Sequence, residues 1–276
     1  MEYKRILTVQ DISCVGQCSL TVALPIISAC GVETAVLPSA VLNTHTCGFT
    51  GYTFRDLTED MPAICAHWQK EGLTFDAVYT GYLGSAEQIA HVKEILRTTA
   101  AEGCLAIIDP AMADGGKLYP GFDADFVAQM KTLVATADYV LPNITEACFL
   151  TDTEFKTEYD RAYIDQLIAK LCALGAKNVV LTGVSYRSGM TGVVVFENGE
   201  YRYFEHPQIA GGVHGTGDIY ASAFTGALLR GKSAYEAAVI AAEYVLECIK
   251  ESQKDPAHTY GARFEPVLYK LAEQFK

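Results

Sequence analysis

Short β-branched and apolar runs alternate along this chain with longer stretches of helical period, and that alternation leaves few architectures open. Arg5 to Val9, Glu33 to Leu42, Phe75 to Thr80, Leu105 to Ile108, Tyr139 to Leu141 and Asn178 to Leu181 read as strands. Ser19 to Cys30, Asp56 to Lys70, Ala86 to Thr99, Asp123 to Ala135 and Asp160 to Leu174 read as the helices between them. This order predicts an α/β fold of three layers, α/β/α, with helices on both faces of a mostly parallel central sheet. One hairpin interrupts the alternation, where Thr191 to Phe196 and Glu200 to Phe204 flank Asn198-Gly199, a dipeptide suited to a tight turn. Helices over Ile219 to Leu229, Ala234 to Lys250 and Phe264 to Phe275 complete the prediction. Neither a composition break nor an internal repeat divides residues 1–276, so a single domain is expected.

Half of the residues are apolar, enough for a sizeable core, and the formal charge of -12 is spread along the chain without a Lys/Arg cluster. That balance argues against a nucleic-acid partner. No apolar run approaches the ~18 residues of a membrane span, and the N-terminus lacks a signal-like pattern. The nine cysteines fall largely in apolar stretches without CxxC spacing, as in reduced proteins, so a cytoplasmic protein with no structural zinc is expected.

The chemistry concentrates late in the chain, at Gly211-Gly-Val-His-Gly-Thr-Gly-Asp218. An apolar helix follows at once, which places the glycines at a helix entrance, where unpaired N–H groups and the dipole attract an anion. Gly215 and Gly217 allow close approach of the backbone to a ligand, with Thr216 between them. Asp218 then sets a carboxylate beside the anion site, as a general base for a hydroxyl attacking a phosphoryl group requires. The plainer reading of Asp218 is a helix cap.

Other candidates fall at predicted strand ends, the ligand side of an open α/β sheet. Asp11 and Ser13 follow the first strand; the polar loop Asn43-Thr-His-Thr-Cys-Gly-Phe-Thr-Gly51 follows the second, with His45 and Thr46 in it and room to close over a flat ligand. Tyr82 lies in Gly81-Tyr-Leu-Gly84, Asp109 precedes Pro110, and Asn143 and Glu146 follow Pro142. Asp109, Asn143 and Glu146 together make an oxygen-rich set suited to magnesium held through waters. Each also has a local explanation: an Asp-Pro turn for Asp109, a helix cap for Asn-x-x-Glu, core packing for Tyr82 and internal loop bonds for His45.

Asn43 to Thr46, Thr80-Gly-Tyr-Leu-Gly84, Asp109-Pro-Ala-Met112, Pro142-Asn-Ile-Thr-Glu146 and Gly215-Thr-Gly-Asp218 occur in an order and spacing that resembles the pyridoxal kinase family of the ribokinase-like superfamily. The resemblance spans nearly the whole chain. It implies ATP-dependent phosphorylation of the 5′-hydroxymethyl group of pyridoxal, pyridoxine or pyridoxamine, with Asp218 as base and the backbone of Gly215 to Gly217 as anion hole. It also implies that Asn143 and Glu146 organise magnesium and phosphate with Asp109 nearby, that Thr182 lies near the ATP phosphates, and that residues 10–16 and 43–55 form substrate-side loops or a lid. Asp11, Ser13, His45, Thr46 and Tyr82 become the ring-side candidates, a homodimer the expected assembly, and a monovalent cation a further candidate cofactor. Gln10-Asp11-Ile12-Ser13 departs from the family's Gln-Ser-x-Val by placing a carboxylate where a hydroxyl is usual, which favours a ring bearing a donor or a protonated amine. Hydroxymethylpyrimidine kinase is the nearest alternative, and a nonenzymatic pyridoxal-phosphate carrier or sensor the more distant one. The absence of Gly-x-x-x-x-Gly-Lys-Ser/Thr and of an early Gly-x-Gly-x-x-Gly argues against P-loop and Rossmann enzymes.

Overall fold

The computed structural model describes residues 3–210 and 213–276, so Gly211 and Gly212 of the glycine-rich stretch lie outside the described residues. In chain order the elements are β1 (Arg5–Ser13), α1 (Leu20–Ala29), β2 (Glu33–Leu42), β3 (Phe54–Asp56), α2 (Met61–Lys70), β4 (Phe75–Thr80), α3 (Ala86–Thr98) and β5 (Ala100–Ile108). There follow β6 (Ala113–Asp114), β7 (Lys117–Leu118), α4 (Ala124–Val134), β8 (Tyr139–Val140), α5 (Ile144–Leu150), α6 (Arg161–Leu174), β9 (Asn178–Val184), β10 (Met190–Glu197) and β11 (Glu200–Pro207). The last elements are α7 (Thr216–Leu229), α8 (Ala234–Ser252), a 3₁₀ turn (Glu265–Val267) and α9 (Leu268–Glu273).

Among the described residues, nine strands form one sheet in the order β11-β10-β9-β8-β5-β4-β1-β2-β3. The six strands from β9 to β2 pair in parallel. Antiparallel neighbours close both edges, β10 and β11 on one side and β3 on the other.

The strands are apolar on both faces because both faces are covered. On β9, Val179 and Leu181 pack into one core and Val180 into the other; on β4, Val78 points one way and Ala77 and Tyr79 the opposite way. Residues of α2 to α6 fill the first core, and residues of α1, α7, α8 and α9 the second. These two cores give the expected three-layer α/β/α arrangement. Each fully buried Val, Leu or Ile contributes about 1.5–3 kcal/mol relative to exposure, so the ends of the central strands are held on a stiff platform.

Several predicted boundaries move. The helix expected from Asp56 begins at Met61, because Phe54–Asp56 pairs with Ala40–Leu42 as an edge strand. Asp56 then turns the chain by accepting the Thr58 N–H at 2.7 Å, and Pro62 enters at the helix start. The terminal helix is divided into a 3₁₀ turn and a short α-helix, with Pro266 in the first segment. Gly115-Gly116 forms the bend of the small β6–β7 hairpin, both residues at positive φ. The Asn198-Gly199 turn matches its sequence, with φ of 53° and 84°.

Candidate active site

Residues at the carboxyl ends of β1, β4, β5 and β8, together with residues of β9, line a cavity of about 770 Å³. Asp11, Ser13, His45, Thr46, Tyr82, Asp109, Asn143, Glu146, Thr182 and Gly215 to Asp218 all face it. Elements remote in sequence thus converge there, because parallel strands bring all their carboxyl ends to one edge.

Helix α7 starts at Thr216, three residues before the expected Ile219, so Asp218 sits inside the first turn rather than capping it. Gly215 is the N-cap, at φ 81° and ψ 1°. A Cβ there would lie 1.9 Å from the Gln17 carbonyl oxygen, so both conformation and space require glycine. Gly217 is different: its φ is ordinary and a Cβ would meet nothing within 4 Å. The fold does not need glycine at 217, where the chain lines the cavity.

Asp218 keeps part of its surface open to the cavity while the protein surrounds it otherwise. Burial raises its pKa to about 6; the Ser19 backbone N–H opposes the rise, and the charge of Asp11 adds to it. Asp109 is pushed well above the ordinary carboxylate value, first by burial and then by the charges of Glu146 and Asp218. Burial also raises Asp11, against hydrogen bonding from Ser19 and Ser13. Five carboxylates line the cavity, Asp114 being the fifth, and none of the described lining residues is Lys or Arg. Such a site favours cations, and an anionic phosphate enters it most readily as a metal complex.

Asn143 and Glu146 realise the plain reading as well as facing the cavity. They form a capping box on α5: Asn143 Oδ1 accepts the Glu146 N–H at 2.9 Å, and Glu146 Oε2 accepts the Asn143 N–H at 2.9 Å. Glu146 Oε1 accepts the Met112 N–H at 3.0 Å, and Asn143 Nδ2 donates to the Ala113 carbonyl at 2.8 Å. Both side chains are therefore rigid, with much of their hydrogen-bonding capacity already used. Among the described residues there is no group of three or more His, Cys, Asp and Glu able to cage an ion. The donor set of two carboxylates and one amide instead fits a hydrated magnesium ion held through its waters. Asp109 Oδ1 likewise accepts the Ala111 N–H at 3.1 Å, the expected Asp-Pro turn.

His45 is 3% exposed and both ring nitrogens are occupied. Nδ1 accepts the Cys47 N–H at 3.1 Å, which leaves Nε2–H to donate to the Tyr260 carbonyl at 2.9 Å. Its imidazole nitrogens thus secure the loop, and a ring edge or face is what remains for a ligand. Gly16 makes room for it, since a Cβ there would come within 2.0 Å of His45 Cδ2. Tyr82 both lines the cavity and packs on Phe122, with centroids 5.5 Å apart. The Thr182 hydroxyl donates to the Pro142 carbonyl at 3.3 Å from within β9 rather than from its end. Thr46 is exposed at the cavity rim.

Some lining residues escaped the sequence reading. Asp114 and Tyr119 reach the cavity from the β6–β7 hairpin and the segment after it, for which Gly115-Gly116 was an available signal. Residues 258–262, which brace the cavity loops without lining the cavity themselves, had no such signal. Gln17 N–H donates to the Tyr260 carbonyl at 3.2 Å, and Ala262 N–H to the His214 carbonyl at 3.0 Å. This clasp ties the first loop, the His45 loop and the glycine motif together.

The model of the family described as "Phosphomethylpyrimidine kinase" matches residues 24–263. The chain belongs to that family of kinases. A putative phosphomethylpyrimidine kinase from Bacteroides thetaiotaomicron, solved with pyridoxal, is 34% identical, with a TM-score of 0.91 over 98% of this chain and 96% of that one. Pyridoxal kinase from Lactobacillus plantarum is 30% identical, with a TM-score of 0.91 over 99% and 98% of the two chains. A hydroxymethylpyrimidine/phosphomethylpyrimidine kinase from Bacillus subtilis is 29% identical, the match covering 79% of this chain and 77% of that protein. The expected pyridoxal kinase resemblance and ribokinase-like fold therefore hold, and the family joins kinases of B6 vitamers to kinases of hydroxymethylpyrimidine.

Proposed function

We propose that this kinase transfers the γ-phosphoryl group of ATP to the 5′-hydroxymethyl group of pyridoxal, pyridoxine or pyridoxamine by direct in-line displacement. The observation that carries the reading is Asp218 in the first turn of α7, raised to a pKa of about 6 and one residue from a glycine that the fold itself does not require. A carboxylate tuned toward neutrality accepts the hydroxyl proton more effectively than an exposed one. The N–H groups of Thr216, Gly217 and Asp218, which have no acceptor inside the helix, stabilise charge on the transferring phosphoryl oxygens. Asp109, Asn143 and Glu146 would hold magnesium through waters, and the ion when bound supplies positive charge to the nucleotide phosphates. Asp11, Ser13, Thr46 and Tyr82 line the ring side, with Thr182 on the nucleotide side. Residues 10–16 and 43–55 serve as the substrate-side cover.

The relative bound to pyridoxal supports the vitamer assignment. A second reading, phosphorylation of hydroxymethylpyrimidine, is favoured by Asp11, which is 5% exposed and suits the amino group of an aminopyrimidine. A coupled ATP-consumption assay with the vitamers and hydroxymethylpyrimidine, with product mass locating the phosphate, separates the two. The expected result is fastest turnover on a B6 vitamer; preferential phosphorylation of the pyrimidine overturns the choice of substrate.

A further inference from the structure

Gln17, between β1 and α1, does not line the cavity, yet three segments that shape the cavity meet on it. Its N–H donates to the Tyr260 carbonyl at 3.2 Å, and the same carbonyl accepts His45 Nε2–H at 2.9 Å, so one oxygen holds the first loop and the His45 loop together. Its own carbonyl lies against Gly215, the N-cap of α7, where a Cβ would come within 1.9 Å of it. Its side chain lies against Gly261, at φ 142°, where a Cβ would come within 2.6 Å of Gln17 Cβ. The amide is used at both ends: Oε1 accepts His258 Nε2–H at 2.9 Å, and Nε2 donates to the two Glu265 carboxylate oxygens at 3.1 and 3.3 Å. This orientation is fixed, because an ionised carboxylate only accepts. Ala262 N–H closes the circuit on the His214 carbonyl at 3.0 Å, one residue before Gly215. Two glycines thus give up a side chain to seat one glutamine, although its bond to Glu265 is exposed to solvent and contributes only modestly to stability.

We infer that Gln17 is a positioning residue: clamped by its amide between His258 and Glu265, it sets the separation of the ring-side loops from the glycine cradle and so aligns the hydroxymethyl group with the phosphoryl group it attacks. This inference rests on the α7 entrance being the phosphoryl cradle. A misplacement of about 1 Å, caused far from the chemistry, costs up to about 10²-fold in rate.

Gln17→Glu keeps an acceptor for His258 but sets a second carboxylate against Glu265, which opens the clamp. Its kcat, followed by ATP consumption with the hydroxymethyl substrate that the parent turns over fastest, falls on the order of tenfold while KM for ATP stays near the parent value. Glu265→Gln alone still offers an oxygen to the Gln17 amide and keeps the parent kcat. Combined with Gln17→Glu it restores the pair with donor and acceptor exchanged, and kcat returns to within about twofold of the parent. A purely structural Gln17 lowers the melting temperature without moving kcat; that outcome overturns the inference, as does a kcat that falls and does not recover in the double variant. Should Gln17→Glu fail to fold, Gln17→Ala removes the clamp without adding charge, and an unchanged kcat there overturns the inference equally. Asp218→Asn and Gly217→Ala, assayed alongside, report on the cradle itself. Full turnover in both removes the reading on which the inference rests, whereas their loss of turnover beside a kinetically normal Gln17→Glu removes the role of Gln17 alone.

Discussion

In the proposed mechanism Asp218 turns proximity into chemistry. Its raised pKa fixes the acid side of the activity: kcat/KM should fall as pH drops through about 6, because the protonated carboxyl accepts no proton. An acid limb near 4 contradicts this assignment. Asp218→Asn should fold and lose about 10²–10⁴-fold in turnover, the usual contribution of a positioned base. The proposed role of Asp11 is in selectivity. With Ser13 Oγ donating to it at 3.2 Å, Asp11→Ser leaves a hydroxyl pair in place of a carboxylate. The order of turnover among pyridoxal, pyridoxine and pyridoxamine should then shift away from the ring substituent that donates most strongly. Unchanged relative efficiencies reject that role.

At the scale of elements, the entrance of α7 contains two glycines with separate reasons to exist. Gly217→Ala should leave the melting temperature unchanged, because its Cβ meets nothing within 4 Å, yet lower kcat by obstructing the phosphate. Gly215→Ala should destabilise the protein by more than about 1 kcal/mol, through positive φ and collision with the Gln17 carbonyl. Thermal melts with initial rates distinguish them, and equal destabilisation in both contradicts the division. The capping box on α5 shows why local readings compete poorly here: Asn143 and Glu146 cap a helix and line the cavity at once. Sequence alone presents those as alternatives, whereas a short helix aimed at the cavity makes them one arrangement.

For the whole molecule, the parallel sheet was legible because short apolar β-branched runs and helical runs alternate and Asn198-Gly199 specifies its own turn. Residues that converge through topology were legible as strand-end candidates, since every parallel strand ends on the same side. Less was visible where distant parts decide. The residue 258–262 clasp depends on contacts with Gln17, His45 and His214, and the positive φ of Ser19, 53°, has no local sequence signal. The edge strand Phe54–Asp56 owes its form to β2, not to its own period.

The buried acids also have a global consequence. A carboxyl whose folded pKa exceeds its unfolded value favours the fold at low pH, and that contribution is lost as pH rises through the folded value. For Asp218 the window runs from 3.8 to about 6. Asp218→Asn should accordingly melt a few degrees above the parent at pH 8, at roughly 2–4 °C per kcal/mol, with the difference disappearing toward pH 4. A difference independent of pH contradicts the burial argument.

The most direct measurement is a crystal structure with pyridoxal and a non-hydrolysable ATP analogue bound together. The account predicts an Asp218 carboxylate oxygen within about 3.2 Å of the 5′-hydroxyl, with the γ-phosphate against the N–H groups of Thr216 to Asp218. A closed complex in which Asp218 lies far from that hydroxyl, with no water bridging them, contradicts it.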